Sequence, residues 1–375
     1  MTSKPSVRID HHFASLTDPR RRKVVHPLIN ILTIALCATI AGADDFVAMA
    51  HWARLHKDWL GQFLDLSNGI PSHDRINMLF RRLKPAQFER CLLSWLASLH
   101  DLSAGTLIAI DGKTARHSFD TATARSALHL VSAWAVSARL SLGCVAVARK
   151  SNEITAIPEL LKMLELGGAI VTIDAMGCQT KIAEAIVGGG GDYILAVKGN
   201  QEALHRGIED YFLDHMSDDF ARTEVTRHET VEEGHGRQEH RTYYTCDVPA
   251  SLPDAGRWKG LVRIGMAVSE TVRGGKPSDA VRYYIMSRRL SAKRFGPLVR
   301  GHWGIENSLH WQLDVSFGED GSRTRKDHAQ ANLGVLRRTS LSLLKNETSS
   351  RVGIKNRRLT AAWDTDYLRK LLFGA

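Results

Sequence analysis

Two aspartates in this sequence each follow a short apolar segment that is typical of a buried strand. Asp174 comes after the run at 170–173, and Asp111 comes after the run at 107–110. An aspartate in such a place is most often a turn former, so neither residue is informative alone. Because both strands could end at the same edge of a sheet, we expect the two carboxylates to lie close together. They would then form part of a single acidic site.

Glu306 is the candidate for a third acid. It lies in a segment whose apolar residues recur at helical spacing, at Leu298, Ile305, Leu309 and Leu313. His302 and His310, four residues on either side of Glu306, are expected on the same helix face. A helix packed on the sheet could direct the Glu306 carboxylate towards the two aspartates.

Three carboxylates in one cleft repel each other unless cations neutralise them. Oxygen ligands suit hard divalent ions such as Mg²⁺ or Mn²⁺. Two such ions a few ångströms apart can activate a nucleophile and stabilise a leaving oxygen at phosphorus. The sequence therefore predicts phosphodiester chemistry with two bound metal ions.

Other assignments of these residues stay open at this point. Asp314, Glu319 or Asp320, which follow the same helix closely, could bind the metal instead of Glu306 or beside it. A zinc site made of His302, Glu306 and His310 is less favoured, because ligands at four-residue steps spread along a helix and the HExxH spacing is absent.

The composition fits an ordinary globular protein that binds a polyanion. The 375 residues are 43% hydrophobic and 24% charged, with a net charge of +10, which makes nucleic acid the first partner to consider. Five scattered cysteines without a CxxC pair predict neither a disulfide framework nor a cysteine zinc site. The polar N-terminus carries no signal peptide, and the longest apolar stretch, 31–43, is too short to span a bilayer. We expect a cytoplasmic, nucleoid-associated protein.

The elements that must position the acids follow from the pattern of the chain. Residues 1–100 have helical spacing throughout. From about 104 the pattern predicts three strands, a helix, a strand, a helix and a strand, which is the order of an RNase H-like core. Residues 222–290 are rich in strand signals, and helices return at Pro297, a favourable first helical position. The last 25 residues are basic and less defined.

Several basic residues are placed where they could contact DNA. In the N-terminal part, Arg75, Arg81 and Arg82 lie off the apolar face of a helix that begins after Ser72, although they could equally form a solvated surface. In the β-rich part, Arg237, Glu239 and Arg241 share one face of a strand, which predicts either a DNA clamp or a charge ladder. Trp258 is more readily explained as a core residue than as a base-stacking one.

Six sequence blocks together resemble the DDE transposases of bacterial insertion sequences. The closest resemblance is to the H-repeat-associated branch, the ISAs group, and it covers nearly the whole chain. The blocks are IAIDGKTAR, KSNEITAIPELL, TIDAMGCQ, YILAVKGNQ, GHGRQEHR and RGHWGIENSLHWQLDVSFGED.

This resemblance implies an RNase H-like catalytic core, with a mixed sheet and flanking helices, that a β-rich insertion interrupts and an all-helical domain precedes. The expected divisions are a helical domain that could bind DNA, the first part of the core, the insertion, the helical completion of the core and a basic tail, at 1–100, 101–215, 216–292, 293–350 and 351–375. Asp111, Asp174 and Glu306 would be the catalytic, metal-binding triad.

The signature that related transposases carry around this glutamate is only partly present. It consists of tyrosine, arginine, glutamate and lysine, whereas this sequence has Val299, His302, Glu306 and Leu313. His302 could take the place of the arginine at a phosphate, but the tyrosine and lysine contacts cannot be carried over. The predicted DNA contacts are Lys113, Arg116, Lys198, Asn200, His235, Arg237, Arg300, His302, Arg75, Arg81 and Arg82.

The implied activity is cleavage at the ends of an insertion sequence followed by strand transfer. Water would attack a phosphodiester to free a 3′-hydroxyl, which would then attack target DNA. The partners would be double-stranded DNA, namely the terminal inverted repeats and the target, within a homodimer or larger synaptic assembly. The alternatives are a stand-alone Mg²⁺-dependent DNA nuclease and a catalytically silent, DNA-binding remnant of a mobile element.

Overall fold

A computed structural model of the chain describes residues 9–21, 24–99, 106–115, 128–147, 152–234 and 236–374. These residues form a mixed α/β structure with one large sheet and many helices. The strands are β1 (Leu107–Ala115), β2 (Leu128–Ala135), β3 (Leu140–Ala146), β4 (Ile170–Ile173), β5 (Asp192–Val197), β6 (Val225–Gly234), β7 (Arg237–Asp247), β8 (Arg263–Arg273) and β9 (Lys276–Met286).

The N-terminal helices are α1 (Ile9–Phe13), α2 (Leu28–Ile40), α3 (Phe46–Leu55), α4 (Lys57–Leu60), α5 (His73–Arg82) and α6 (Pro85–Leu99). The later helices are α7 (Glu153–Leu161), α8 (Thr180–Gly188), α9 (Glu202–Met216), α10 (Ala292–His302), α11 (Trp311–Val315), α12 (Ala329–Asn346), α13 (Ile354–Trp363) and α14 (Thr365–Phe373). Within the described residues, no helix is both long and apolar enough to cross a membrane.

The sheet has nine strands in the order β3-β2-β1-β4-β5-β9-β8-β7-β6. The pairs β1–β4 and β4–β5 are parallel, and the other pairs are antiparallel. Strand β9 pairs with β5, so that Ile285 lies opposite Leu195. The β-rich segment predicted from 222 to 290 therefore continues the same sheet.

Strand β1 differs from the sequence-based prediction, because Asp111 does not end it. The strand continues to Ala115, since β2 pairs with it from Ile108 through Asp111 and beyond. Its parallel partner β4 stops earlier, with Ile173 opposite Ile110. Asp111 is thus the first residue of β1 that extends past β4, and that side of the strand is open. Asp174 directly follows β4, as predicted.

The helices that precede and follow the sheet share one hydrophobic core. This core contains apolar residues of α2, α3, α5 and α6 together with residues of α12, α13 and α14. Residues 31–41 of the apolar run that is too short to span a bilayer are buried in this region. The prediction for the last 25 residues was wrong, because they form the ordered helices α13 and α14. Leu368, Leu371 and Leu372 on α14 pack into that core, which explains the helix.

One buried cation links the end of the chain to the segment that follows α11. The Arg358 side chain on α13 is 5% exposed, and its guanidinium donates to the Thr39 carbonyl at 2.9 Å and to Asp44 Oδ1 at 2.6 Å. The same guanidinium donates to the Ser316 carbonyl and lies 4.1 Å from the centre of the Phe317 ring. Helix α13 therefore fixes the turn at 316–317 against the N-terminal helices.

Candidate active site

The two predicted aspartates are neighbours across the β1–β4 pair. Ile110 and Ile173 lie opposite each other in register, and each is followed by one of the acids, Asp111 or Asp174. Asp174 also caps the short 3₁₀ turn at 175–177, because its Oδ1 accepts from the amides of Met176 and Gly177 at 3.1 and 3.3 Å. Backbone pairing and this cap fix both carboxylates without a long loop.

Glu306 faces the same cavity as the two aspartates. A cavity of about 130 Å³ is lined by Asp111, Asp174 and Glu306 together with Lys198 and the buried wall residues Thr172, Ile194, Tyr284 and Val299. The three predicted acids thus come from β1, from the end of β4 and from the segment after α10, and all three line the same cavity. That juxtaposition is the central feature of the site.

The electrostatics of the cavity disfavour a full complement of negative charge. Burial is the main cause that raises the pKa of Asp111, to about 7, and the charges of Asp174 and Glu306 add to the rise. Among the described residues, no three His, Cys, Asp or Glu side chains already surround a single ion position. The oxygen-only donor set and the raised pKa of Asp111 both fit a cation.

Glu306 begins an irregular helical turn that its spacing in the sequence does not reveal. Residues 306–310 form a π-helical turn, in which the Trp311 amide donates to the Glu306 carbonyl five residues earlier. Such turns are rare and are frequent at functional sites. The extra residue shifts His310 away from the α-helical position expected for it.

The two histidines near Glu306 have separate environments, which argues against the zinc alternative. His302 Nδ1 contacts Thr172 Oγ1 at 3.2 Å, and burial lowers the pKa of its imidazole. His310 Nδ1 lies 3.4 Å from Asp111 Oδ2, and its pKa is lowered to about 4, mainly by burial. Burial thus disfavours the charged form of His302, the residue predicted to contact a phosphate.

The acids that follow Glu306 bind lysine and arginine. Asp314 and Glu319 Oε2 both contact Lys113 Nζ, the latter at 3.2 Å, and Glu319 Oε1 lies 4.0 Å from Arg338 Nη1. Burial would raise the pKa of Glu319, but Arg338 and Lys113 hold it below its ordinary value. These pairs favour Glu306 over Asp314 and Glu319 as the third acid of the cavity.

A fourth acid lies on the other face of β1, and the sequence reading missed it. Glu153, in the first turn of α7, approaches Gly112 so closely that a Cβ on that glycine would lie 2.2 Å from Glu153 Oε1. His129 Nε2 contacts the same Oε1 at 2.7 Å, and Thr114 Oγ1 contacts His129 Nδ1 at 2.7 Å. The charge of Glu153 adds to the raised pKa of Asp111. The glycine between Asp111 and Lys113 is the one sequence feature that marks this close approach.

A groove lined by arginines opens beside the acidic cavity. It has a volume of about 590 Å³ between the faces of β7, β8 and β9 and the end of α10, and it shares the walls Arg282, Tyr284 and Glu306 with the cavity. Its other arginines are Arg237, Arg241 and Arg300. The groove and the acidic cavity meet at Glu306.

The arginines of this groove also pair with acids, of which Glu239 lines the groove and Glu232 lies outside it. Arg237 Nη2 contacts Glu239 Oε1 at 2.6 Å, Arg241 contacts Glu239 and Glu232, and Arg300 contacts Glu232. A charge ladder and a DNA clamp were the two alternatives for this strand face. The ion pairs of Arg237 and Arg241 with Glu239 correspond to the charge ladder. The half-buried Arg282 contacts an aromatic ring: its guanidinium lies 5.1 Å above the centre of the exposed Trp303 ring.

The helical N-terminal part carries a second basic surface, which we call the arginine basin. Arg20, Arg21, Arg75 and Arg82 line this depression of about 450 Å³ together with His26. Burial, Arg20 and Arg75 lower the pKa of His26. Arg81 lies outside the basin and pairs with Asp327 at 2.7 Å. The structure thus groups two of the three predicted arginines of α5.

Asn200, a predicted contact residue near Asp174, has a structural role in this arrangement, and its neighbour Gln201 shares that role. Asn200 Nδ2 donates to the Ala175 carbonyl at 2.7 Å, and Gln201 Nε2 donates to the Cys178 carbonyl at 3.0 Å. Both bonds hold the β5–α9 connection against the turn that Asp174 caps. Lys198 is exposed and lines the acidic cavity.

The remaining expectations have simple outcomes. Arg116 and His235 lie outside the residues that the structure describes. Trp258 is 4% exposed and belongs to the core under the sheet, which confirms the core assignment. All five cysteines are free; Cys37, Cys91, Cys178 and Cys246 are buried, and Cys144 is half-buried.

Two family profiles match this chain. The profile described as "Transposase DDE domain" matches residues 103–343, and the profile described as "DDE_Tnp_1-associated" matches residues 11–96. The matched ranges include all three acids of the cavity in the first case and the arginine basin in the second. The chain belongs to the family of DDE transposases.

The similar proteins narrow this assignment. The chain is 39% identical over 374 residues to the "H repeat-associated putative transposase YhhI" of Escherichia coli strain K12, with 98% of both chains covered. It is 39% identical to the "Putative transposase YncI" of Escherichia coli O157:H7, with 93% of this chain and 90% of that one covered. The predicted H-repeat-associated branch is confirmed, and the protein is a DDE-type DNA transposase.

One solved structure covers most of the chain. It is described as the piggyBac transposase synaptic complex with hairpin DNA, and it covers 94% of this chain and 76% of its own at 10% identity with a TM-score of 0.41. The likeness is too slight to support an argument about the site.

Proposed function

We propose that Asp111, Asp174 and Glu306 are the catalytic triad of this transposase and hold Mg²⁺ or Mn²⁺, two ions in all, in an RNase H-like core. The observation that supports this most is their shared cavity, in which the pKa of Asp111 is raised to about 7. The strand order β3-β2-β1-β4-β5, with acids on β1 and after β4, supports the assignment of the core.

The proposed reaction is hydrolysis of a phosphodiester at each end of the element, followed by joining to target DNA. In the first step the oxygen of water forms a bond to phosphorus, the P–O bond to the leaving strand breaks, and a 3′-hydroxyl is released. In the second step that hydroxyl forms a new P–O bond in the target, where another P–O bond breaks. Divalent ions, when bound, supply positive charge to the attacking and leaving oxygens.

The side chains of this protein position those charges and the DNA. The pairing of β1 with β4 sets the spacing of Asp111 and Asp174. The π-helical turn at 306–310 presents Glu306 to the same cavity. The buried walls Thr172, Ile194 and Tyr284 keep the cavity narrow, and a narrow, partly dry site strengthens each electrostatic interaction within it.

We propose that double-stranded DNA, both terminal repeat and target, contacts the arginine-lined groove and the arginine basin. Charge supports this, because the protein has a net charge of +10 and both surfaces group arginines. In the groove, Arg237 and Arg300 border the path to the acids, while Arg75 and Arg82 belong to the basin. Positive surfaces of this kind supply most of the affinity for the phosphate backbone.

Joining two element ends to one target requires more than one active site in the same complex. We therefore propose a homodimer or a larger synaptic assembly. Light scattering measures the number of protein chains in the complex, with and without a duplex that carries the element's end. A complex with a single protein chain would contradict the proposed assembly.

The test of the triad compares conservative variants in a cleavage assay with Mg²⁺. We expect Asp111→Asn, Asp174→Asn and Glu306→Gln each to reduce cleavage at least a thousandfold while the affinity for the duplex changes little. Glu202→Gln, on the exposed start of α9, is the matched control and should cleave normally. Normal cleavage by Asp111→Asn would show that the triad is wrongly assigned.

A second assay separates transposition from simple cutting. A duplex with a pre-cut 3′ end is mixed with the protein, Mg²⁺ and target plasmid, and covalent joining is measured. Joined products support the transposase reaction in full. Cutting without joining would indicate a stand-alone nuclease, and binding without either activity would indicate a silent remnant.

A further inference from the structure

Lys113 lies on β1, two residues after Asp111, and its side chain is enclosed. Alternation along a strand places both side chains on the same face of the sheet. The Lys113 side chain is only 13% exposed. Its ammonium group has three hydrogens to donate, and three acceptors surround it: Asp314 Oδ1, Glu319 Oε2 at 3.2 Å and the His310 carbonyl at 3.5 Å. This arrangement leaves little of the charge for the DNA phosphate predicted from the sequence.

The three acceptors belong to one segment, which directly follows Glu306. His310 ends the π-helical turn that Glu306 begins, Asp314 lies on α11, and Glu319 lies in the loop after that helix. Lys113 therefore holds three successive parts of the segment 306–319 from a single position on β1. Because Asp111 is on the same strand, the distance between β1 and this segment also sets the distance from Asp111 to Glu306.

His310 contacts both residues of β1. Its ring lies 3.4 Å from Asp111, and its carbonyl lies 3.5 Å from the ammonium of Lys113. These two contacts tie the end of the π-helical turn to β1, on the strand that carries Asp111. The buried pair of Glu319 with Arg338 on α12 anchors the far end of the segment.

We propose that Lys113 is a positioning residue, which fixes the segment 306–319 on β1 so that Glu306 is held opposite Asp111. This inference rests on the proposed function, since it assigns Glu306 a place in the active site. It replaces the predicted phosphate contact of Lys113 with a contact inside the protein.

The experiment uses the full chain and three variants. Lys113→Met keeps the length of the side chain and removes its charge, Lys113→Arg keeps the charge, and Lys181→Met on the exposed face of α8 is the matched control. The DNA probe is a labelled duplex that carries the repeat flanking the gene. Three quantities are measured: amide hydrogen exchange without DNA, affinity for the duplex over a range of salt, and the single-turnover cleavage rate with Mg²⁺.

We expect Lys113→Met to exchange the amide hydrogens of the segment 306–319 faster than wild type does, because the segment loses its contact with Lys113. Exchange in the rest of the chain should match wild type. Its cleavage rate should fall about 10- to 100-fold, as is typical when a residue that orients metal ligands is lost. Its affinity for DNA and the salt dependence of that affinity should match wild type. Lys113→Arg should recover most of the cleavage rate, and Lys181→Met should behave as wild type in all three measurements.

The contrary results are equally specific. If Lys113 contacts a phosphate, Lys113→Met will lower the slope of log affinity against log salt by about 0.9, and the positioning role is overturned. Unchanged exchange in 306–319, or an unchanged cleavage rate, also overturns it. If Lys113→Met does not fold, Lys113→Met/Asp314→Asn removes the unpaired charge and is judged by the same three measurements. Should wild type itself not cleave, the proposed function fails, whereas exchange and salt dependence still decide the role of Lys113.

Discussion

Replacing Asp111 by asparagine should make the metal-free protein more stable at alkaline pH while it abolishes cleavage. In the folded protein the pKa of Asp111 is raised from 3.8 to about 7. Between these two values the unfolded chain has released the proton and the folded chain still holds it. The free energy of unfolding therefore falls as the pH rises through this window, and it falls no further above pH 7.

The size of the effect follows from the shift in pKa. Each pKa unit corresponds to 1.36 kcal/mol, so the full shift costs about 4 kcal/mol, of which about 3 kcal/mol is lost between pH 5 and pH 8. The Asp111 side chain is 21% exposed, so little of this is screened by solvent. With an unfolding entropy of about 2.1 cal/mol/K per residue, 3 kcal/mol corresponds to a change of about 4 °C in Tm.

The assay is thermal unfolding of wild type and Asp111→Asn in EDTA at pH 5, 6, 7 and 8. We expect the Tm of the variant, relative to that of wild type, to rise by about 4 °C between pH 5 and pH 8. Asp58→Asn, at an exposed position of α4, is the control and should show a constant difference. Excess Mg²⁺ should raise the Tm of wild type at pH 8 and reduce the advantage of the variant.

Parallel curves for wild type and Asp111→Asn would refute this reasoning. They would mean that ionised Asp111 is no less stable in the folded protein than in water. The three acids would then not share a partly buried cavity, and the metal site proposed for them would lose its main support.

Three further results are expected. Gly112→Ala should lower cleavage only modestly, because its Cβ would displace the flexible end of Glu153, whose charge acts on Asp111 from the other face of β1; single-turnover kinetics measures this. Asn200→Leu should lower the free energy of unfolding by about 1 kcal/mol through the lost bond to the Ala175 carbonyl, as denaturant titration will show. Arg82→Gln should lower the salt slope of DNA binding by about 0.9, and an unchanged slope would exclude a phosphate contact in the arginine basin.

The aspartates could be found from the sequence because local patterns determine their positions. A four-residue apolar strand followed by small residues predicts the end of β4, and with it Asp174. The end of β1 could not be found in this way, because its last residues are strand only through their pairing with β2, a partner distant in sequence. Asp111 therefore lies within a strand that continues past its parallel neighbour.

The segment around Glu306 shows where pattern reading stops. Apolar residues at 305, 309 and 313 predict a helix correctly, but the π-helical turn at 306–310 leaves no signal in that spacing. The contacts of Lys113 with Asp314 and Glu319 join residues some 200 positions apart. The sequence shows the charges at these positions, but it does not show which of them pair. For the same reason the basic tail was not recognised as two helices, since its burial depends on a core formed by N-terminal residues.

The position of Arg358 makes the order of synthesis relevant to the completion of the fold. A growing chain that has not yet reached α13 lacks the cation that ties the turn at 316–317 to Asp44 and the Thr39 carbonyl. In that nascent polypeptide the turn at 316–317 lacks its charged tie to the first helices, and the buried Phe317 ring still packs in the core that they share. The polar contacts of this turn are therefore completed only after translation has passed this arginine.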